Sequence, residues 1–335
     1  YFVDSNGKTT AITSTGGSVF VFDYNSDLQN LAYITGNKKK NEAGGEWIDP
    51  TTVYLQKTGN VAQKILEFNL KPSSNSDYVV EIRDVRFSAD GKILGITSSD
   101  SFWTYDVGRQ ILTQIFYDPV DTSKTKFWIW SYSNPIFSPD NSKAILTNGY
   151  YEGSGNSWVD LGTKTNTKLP YSAYVSGSVV IGWSNEQEYL VLEYPESDSS
   201  QPSKLSIINV FSGQTAKSFL VPQRSYTGFK SGDLVYLQAY YDKKTGTTAQ
   251  GYDLTDQIYE IIELNLDSDQ QRIIYSLNGR QEAKYLSRIK LANTNTLLLD
   301  VINSQNKHSV HTLAISDPQK KSKQLIDDAS LYSSY

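Results

Sequence analysis

"FSADGKILGIT" at 87–97 and "FSPDNSKAILT" at 137–147 repeat one pattern 50 residues apart: an aromatic ring, a tight polar turn, an apolar run. A recurring unit of about 40 to 50 residues cannot bury a core alone, so its copies must stack on one another. From Phe87 the unit reads as a strand, a turn of Ser, Asp and Gly, and the strand "ILGITS". "SFWTYDVGRQILTQIF" follows, two more strands joined at Gly108. The same order recurs at 134–170 and 179–221, and more faintly at 18–68, 227–277 and 287–327. Residues 1–14 parallel "SWVDLGTKTNTKL" and read as one extra hairpin.

Four-stranded units of this length make the blades of a β-propeller. The chain is therefore expected to be all-β, a single β-propeller domain over 1–335 with six four-stranded blades at 18–68, 84–116, 134–170, 179–221, 227–277 and 287–327. Seven blades is the alternative, if an upstream strand pair completes the hairpin at 1–14. Aromatics agree with sheet: Tyr 24, Phe 12 and Trp 6, with no long stretch of helical period. Phe22, Phe87, Phe137, Trp183 and Phe229 stand just before the first turn of their units, where a ring fills the wedge between neighbouring blades. Leu291 takes that place in the last unit. Pro139-Asp140 and Asp90-Gly91 suit tight turns, and Ser88 and Ser138 can bond the turn backbone.

"FSADGK", "FSPDNSK", "WTYDVGRQ" and "WVDLGTKTN" resemble the TolB-type propeller repeat, found also in the propellers of dipeptidyl peptidase IV and prolyl oligopeptidase relatives. The likeness is strongest from 84 to 221. It implies a propeller that docks partners. In the oligopeptidase relatives the propeller gates a serine hydrolase, but no G-x-S-x-G elbow occurs here.

Loop length marks one face. The turns after the first and third strands are tight: "SADGK", "SPDNSK", "DVGRQ", "LGTKTN", "FSGQT". The connections after second strands are long: "GNKKKNEAGGEWIDP", "NGYYEGSGNS", "EYPESDSSQPSK" and "YYDKKTGTTAQGYDLTD". The inter-blade joins "KPSSNSDYVVEI" and "YDPVDTSKTKFWIWSYS" emerge at the same end. Long connections without a structural need carry recognition. Their rings, Trp128, Trp130, Tyr132, Tyr150, Tyr151, Tyr240, Tyr241 and Tyr252, are the candidate partner-binding residues. Alternation puts Trp128, Trp130 and Tyr132 on one side of their strand.

Catalytic signals are sparse, and no cofactor or metal is expected. His308 and His311, three apart on a strand, aim at opposite faces and make a poor metal pair. Asp23, Asn25 and Asp27 mimic the start of a calcium loop, but Leu28 stands where Gly is needed and Ile34 where a bidentate Glu is needed. A formal charge of −5 supplies no basic field for nucleic acid or an anionic membrane surface. No run approaches the roughly 18 apolar residues of a spanning helix, so this segment is not expected to insert into a membrane. Cys 0 removes disulfides and thiol chemistry, and fits an oxidising compartment. With Met 0 and no N-x-[ST] sequon, residue 1 is not a translational start and a bacterial exterior is favoured, with an upstream targeting or anchoring segment left open.

The expected function is a non-catalytic binding scaffold of the bacterial cell envelope or exterior, acting as a monomer, with a protein or glycan on the long-loop face. The alternatives are a glycan- or peptide-cleaving enzyme with acidic residues at the channel mouth, and a structural segment of a larger surface protein.

Overall fold

The computed structural model of the protein describes residues 2–3, 9–10, 18–25, 28–40, 46–68, 81–118, 131–150, 153–169, 178–193, 202–221, 224–251, 253–282, 284–293, 295–316 and 321–327. Strands β1 (Phe2–Val3) and β2 (Thr9–Thr10) pair only with each other. Six four-stranded antiparallel sheets follow, each made of consecutive strands.

Blade I comprises β3 (Ser18–Asn25), β4 (Asn30–Lys40), β5 (Glu46–Lys57) and β6 (Gln63–Glu67). Blade II comprises β7 (Ile82–Phe87), β8 (Ile93–Ser98), β9 (Ser101–Asp106) and β10 (Ile111–Tyr117). Blade III comprises β11 (Ser131–Phe137), β12 (Lys143–Tyr150), β13 (Gly153–Asp160) and β14 (Thr165–Lys168). Blade IV comprises β15 (Ser178–Trp183), β16 (Glu188–Glu193), β17 (Ser203–Asn209) and β18 (Thr215–Val221). Blade V comprises β19 (Arg224–Ser231), β20 (Leu234–Thr247), β21 (Asp253–Asn265) and β22 (Gln271–Asn278). A single helical turn, α1 (Gly279–Glu282), leads into blade VI: β23 (Lys284–Asn293), β24 (Thr296–Asn303), β25 (His308–Ala314) and β26 (Lys323–Asp327).

The chain is a six-bladed β-propeller, with the first strands of blades I to V in contact from each blade to the next. The first strand of every blade pairs with the second through a register shift, after Val19, Ile82, Ser133, Val180, Ser225 and Leu286. An inserted residue bends a strand and sharpens its twist. Six such bends at one radius belong to the geometry of the ring.

The turn chemistry works as the letters imply. Ser88 Oγ donates to Asp90 Oδ1 at 2.7 Å and accepts from the Ile93 amide at 3.1 Å, and Ser138 does the same with Asp140 and Lys143 at 2.6 and 3.0 Å. Gly91 and Asn141 hold φ of 69° and 57° at the matching left-handed position.

Of the wedge rings, Phe87, Phe137, Trp183 and Phe229 lie in or against inter-blade clusters, and Phe22 lies in none of them. Phe137 packs in the apolar cluster between blades II and III, closely enough that a Cβ on Gly95 would come within 2.9 Å of its ring. Trp183 packs between blades III and IV and donates Nε1–H to the Ile136 carbonyl at 2.7 Å. Apolar clusters likewise fill the I–II, IV–V and V–VI interfaces.

Between blades VI and I the described residues form no such cluster. Alternation turns Leu31, Tyr33, Tyr54 and Gln56 of blade I, and Leu298, Asp300, Ile302, His308 and Val310 of blade VI, toward this seam. Tyr33 and Tyr54 stack at 5.4 Å, and His308 Nδ1 lies 2.9 Å from Asp300 Oδ1. Lys290 Nζ reaches Asp23 Oδ1 of blade I at 3.8 Å. Among the described residues this seam therefore mixes polar with apolar side chains and holds no apolar cluster.

Candidate functional site

Two hairpins that the sequence presents as loops are strand ribbons standing beyond their sheets. In blade V, β19 makes its last pair at Arg224↔Tyr240 and β22 at Asn278↔Ile258, while β20 and β21 stay paired as far as Thr247↔Asp253. In blade I, β3 stops at Ser18↔Gly36 and β6 at Glu67↔Thr52, while β4 and β5 continue to Lys40↔Glu46. Both ribbons follow second strands and so rise from the same face. The corresponding connection in blade III is short, with Tyr150 opposite Gly153. A ribbon with no apolar alternation has no pattern to announce it, which is why it reads as loop. The visible signal is a pair of near-equal arms around glycine-rich tips, Gly44-Gly45 and Gly251.

Ribbon V is braced along its outer edge. Asp256, 8% exposed, accepts from Asn278 Nδ2 at 2.8 Å and from Gln281 Nε2 at 3.2 Å. Arg280 donates to the Thr255 carbonyl at 2.8 Å. Across the ribbon Lys244 Nζ meets Asp253 at 2.6 Å.

The candidate rings do not assemble into one surface. Tyr132 is fully buried between blades II and III, edge-on to Phe116 at 4.9 Å, and its hydroxyl donates to Asp118 at 2.9 Å; it is a core residue and not an exposed contact. Packing claims it because β11 already begins at Ser131, upstream of the expected blade limit. Tyr240 and Tyr241 lie on strand β20, not in a loop, and point to opposite faces. Tyr240 stacks on Tyr259 at 5.5 Å, while Tyr241 donates to Glu260 Oε1 at 3.1 Å, burial pushing its own hydroxyl pKa up. Trp128, Trp130, Tyr151 and Tyr252 lie outside the described residues, as does the side chain of Tyr150.

Around the axis the first strands carry Asp23, Arg83, Asp84, Arg86, Lys230, Arg288 and Lys290. The two acids work inside the blade interfaces. Asp23 Oδ2 accepts from the Phe87 amide at 2.8 Å, and Asp84, fully buried, accepts from the amides of Val85 and Asn134 at 2.8 and 2.9 Å. Asp90, Asp140 and Asp160, whose pKa values are all held low, belong to tight turns on the opposite face. The two histidines face apart: His308 meets Asp300, and His311 Nε2 lies 3.0 Å from Ser309 Oγ. Among the described residues no group of three or more His, Cys, Asp or Glu is placed to hold a metal ion. Asp27 of the calcium-like stretch lies outside them, and Asn25 Oδ1 caps the Leu28 amide at 2.8 Å. No helix among them is long and apolar enough to cross a membrane.

No family model and no curated protein sequence matches the chain. Solved structures do. An oligogalacturonate lyase in complex with manganese is similar at 11% identity and a TM-score of 0.58, over 95% of this chain and 83% of that one. The Swd1 β-propeller domain of Myceliophteria thermophila is similar at 12% identity and a TM-score of 0.54, over 95% and 88%. TolB from Acinetobacter baumannii is similar at 13% identity with a TM-score of 0.44; the match covers 88% of this chain and 65% of that one. At these identities the likeness establishes the fold alone.

Proposed function

We propose that the protein is a non-catalytic binding scaffold of the bacterial cell envelope or exterior, docking a protein or glycan on the face from which the ribbons rise. The observation that carries this reading is the asymmetry of the two ends. One end consists of tight turns, those after the first strands of blades II and III locked by Ser–Asp hydrogen bonds. The other carries two projecting ribbons whose length the propeller core does not require. Surplus ordered structure at one end of a rigid ring is how such scaffolds present contacts. The envelope assignment is supported by the absence of cysteine and by the TolB-type motifs.

The test is capture of envelope proteins and of arrayed glycans by three proteins: the parent chain, a Trp128→Ala/Trp130→Ala variant, and a variant in which residues 242–257 become a two-residue turn. Loss of capture in either variant, with the thermal midpoint within about 3 °C of the parent, is the expected result. Full capture by both would move the site elsewhere. Unfolding of the double Trp variant would place those rings in the core and leave the ribbon variant to decide.

A further inference from the structure

Ribbon V differs from an ordinary hairpin in having one braced edge and one edge that, among the described residues, is open. In blade V the outer edge, on β21, is occupied at Thr255 and Asp256 by Arg280, Asn278 and Gln281. The inner edge, on β20 from Tyr241 to Thr247, has lost its neighbour, because β19 pairs no further than Tyr240. Among the described residues no backbone group pairs with that edge. Since β19 is the strand nearest the axis, the open edge looks over the channel mouth. In blade I the same thing happens at Asn37–Lys40 of β4, which continues past the end of β3.

Charge divides the same way in both ribbons. The inner strands carry Lys38, Lys39 and Lys40 in blade I, and Lys243 and Lys244 beside a single Asp242 in blade V. The outer strands carry Glu46 and Asp49, and Asp253 and Asp256. The inner strands are thus the basic ones on a molecule whose formal charge is −5, with Lys244 of ribbon V held to Asp253 across the ribbon. Lysine on an edge opposes pairing with an identical edge, because a second copy would bring like charges together. The same lysines favour a strand that carries carboxylates.

We propose that these inner edges receive an extended acidic segment of a protein partner by strand addition at the channel mouth. Backbone hydrogen bonds to the open edge supply affinity, and the lysines select for acid. Ribbon V arrives pre-ordered by its brace, so little conformational entropy is lost on docking. The proposal rests on the docking reading above and specifies the chemistry of the partner.

The test uses the intact chain with two synthetic octapeptides, one of alternating Thr and Glu and one of alternating Thr and Lys, read by amide hydrogen exchange and fluorescence anisotropy. The acidic peptide is expected to slow exchange at 241–247 and 37–40, with the basic peptide inert. Lys243→Glu/Lys244→Glu should weaken acidic-peptide binding about tenfold and abolish protection at 241–247, with protection at 37–40 retained. Lys243→Arg/Lys244→Arg should behave as the parent. Equal binding of both peptides, or binding without protection at either edge, would overturn strand addition. A dimer in sedimentation that protects the same amides would make a second copy the occupant and overturn the acidic partner. If partner capture persists in the Glu variant, this inference fails and the broader docking reading stands; if the parent captures nothing, the broader reading fails first.

Discussion

Asp140 shows how much chemistry one turn residue holds. Burial works to raise its pKa, but hydrogen bonds from Ser138 and Ser142 outweigh it and bring the carboxyl down to about 2. Asp90 is held low in the same way against burial, by Lys92 and Ser88, and Asp160 chiefly by the Thr163 amide. A folded pKa below the unfolded one means that the unfolded chain binds more protons as the medium acidifies. These turns thus contribute fully above about pH 4 and lose their contribution as pH falls through the folded values. A triple Asp→Asn variant at 90, 140 and 160 should flatten the acid limb of stability between about pH 4 and 2, measured by calorimetry. An unchanged slope would mean that other carboxylates set the limb. Tyr189 presents the opposite case. Its hydroxyl is buried without a hydrogen-bond partner among the described residues, and burial pushes its pKa up. Tyr189→Phe should therefore be neutral or stabilising by about 1 kcal/mol in urea unfolding, and a clear loss of stability would reveal a partner.

At the scale of elements, the bulged first strands do what no alternation pattern announces. The register shift after Ile82 precedes Asp84, whose carboxylate ties blade II to the Asn134 amide of blade III and lies 3.7 Å from Arg86. Asp84→Ala should cost about 3 kcal/mol, because two amides lose their acceptor and the Arg86 guanidinium its opposite charge inside the interface. A cost below about 1 kcal/mol would show that water replaces the carboxylate there. The blade strands themselves are legible from apolar runs and turn letters, with sheet limits within three residues of expectation at 82, 131, 224 and 284. The ribbons are not legible, because "NKKK" and "YYDKKTGT" carry no apolar alternation of their own and only pairing with the returning arm makes them strands.

For the whole molecule, the uneven interfaces predict where the ring yields. Five interfaces hold apolar clusters. Among the described residues the VI–I seam mixes Tyr, Gln, Asp and His side chains with Leu31, Ile302 and Val310, holds no apolar cluster, and adds the Lys290–Asp23 contact. Apolar burial dominates blade-to-blade adhesion, so the seam should open first. Because the chain has Cys 0, the test is clean. Asp23→Cys/Lys290→Cys, joined by a short bismaleimide, should raise the thermal midpoint by about 5 °C over the same variant unlinked. Linking Asp90→Cys to Asn141→Cys across the II–III turns should change it far less, and equal gains would mean that the seam is no weaker than the other interfaces.

The amino-acid order by itself determined the repeating strand unit, the number of blades, the locked turns and the wedge rings, because each follows from contacts within a few residues or from a ring placed at a fixed step of the repeat. Only the tertiary structure decided that Tyr132 is core, that Tyr240 and Tyr241 face apart, that two hairpins stand as ribbons, and that the VI–I seam, among the described residues, lacks the apolar cluster of the other interfaces. Those outcomes depend on which blade lies opposite which and on where a neighbouring strand happens to end, and no local pattern encodes either.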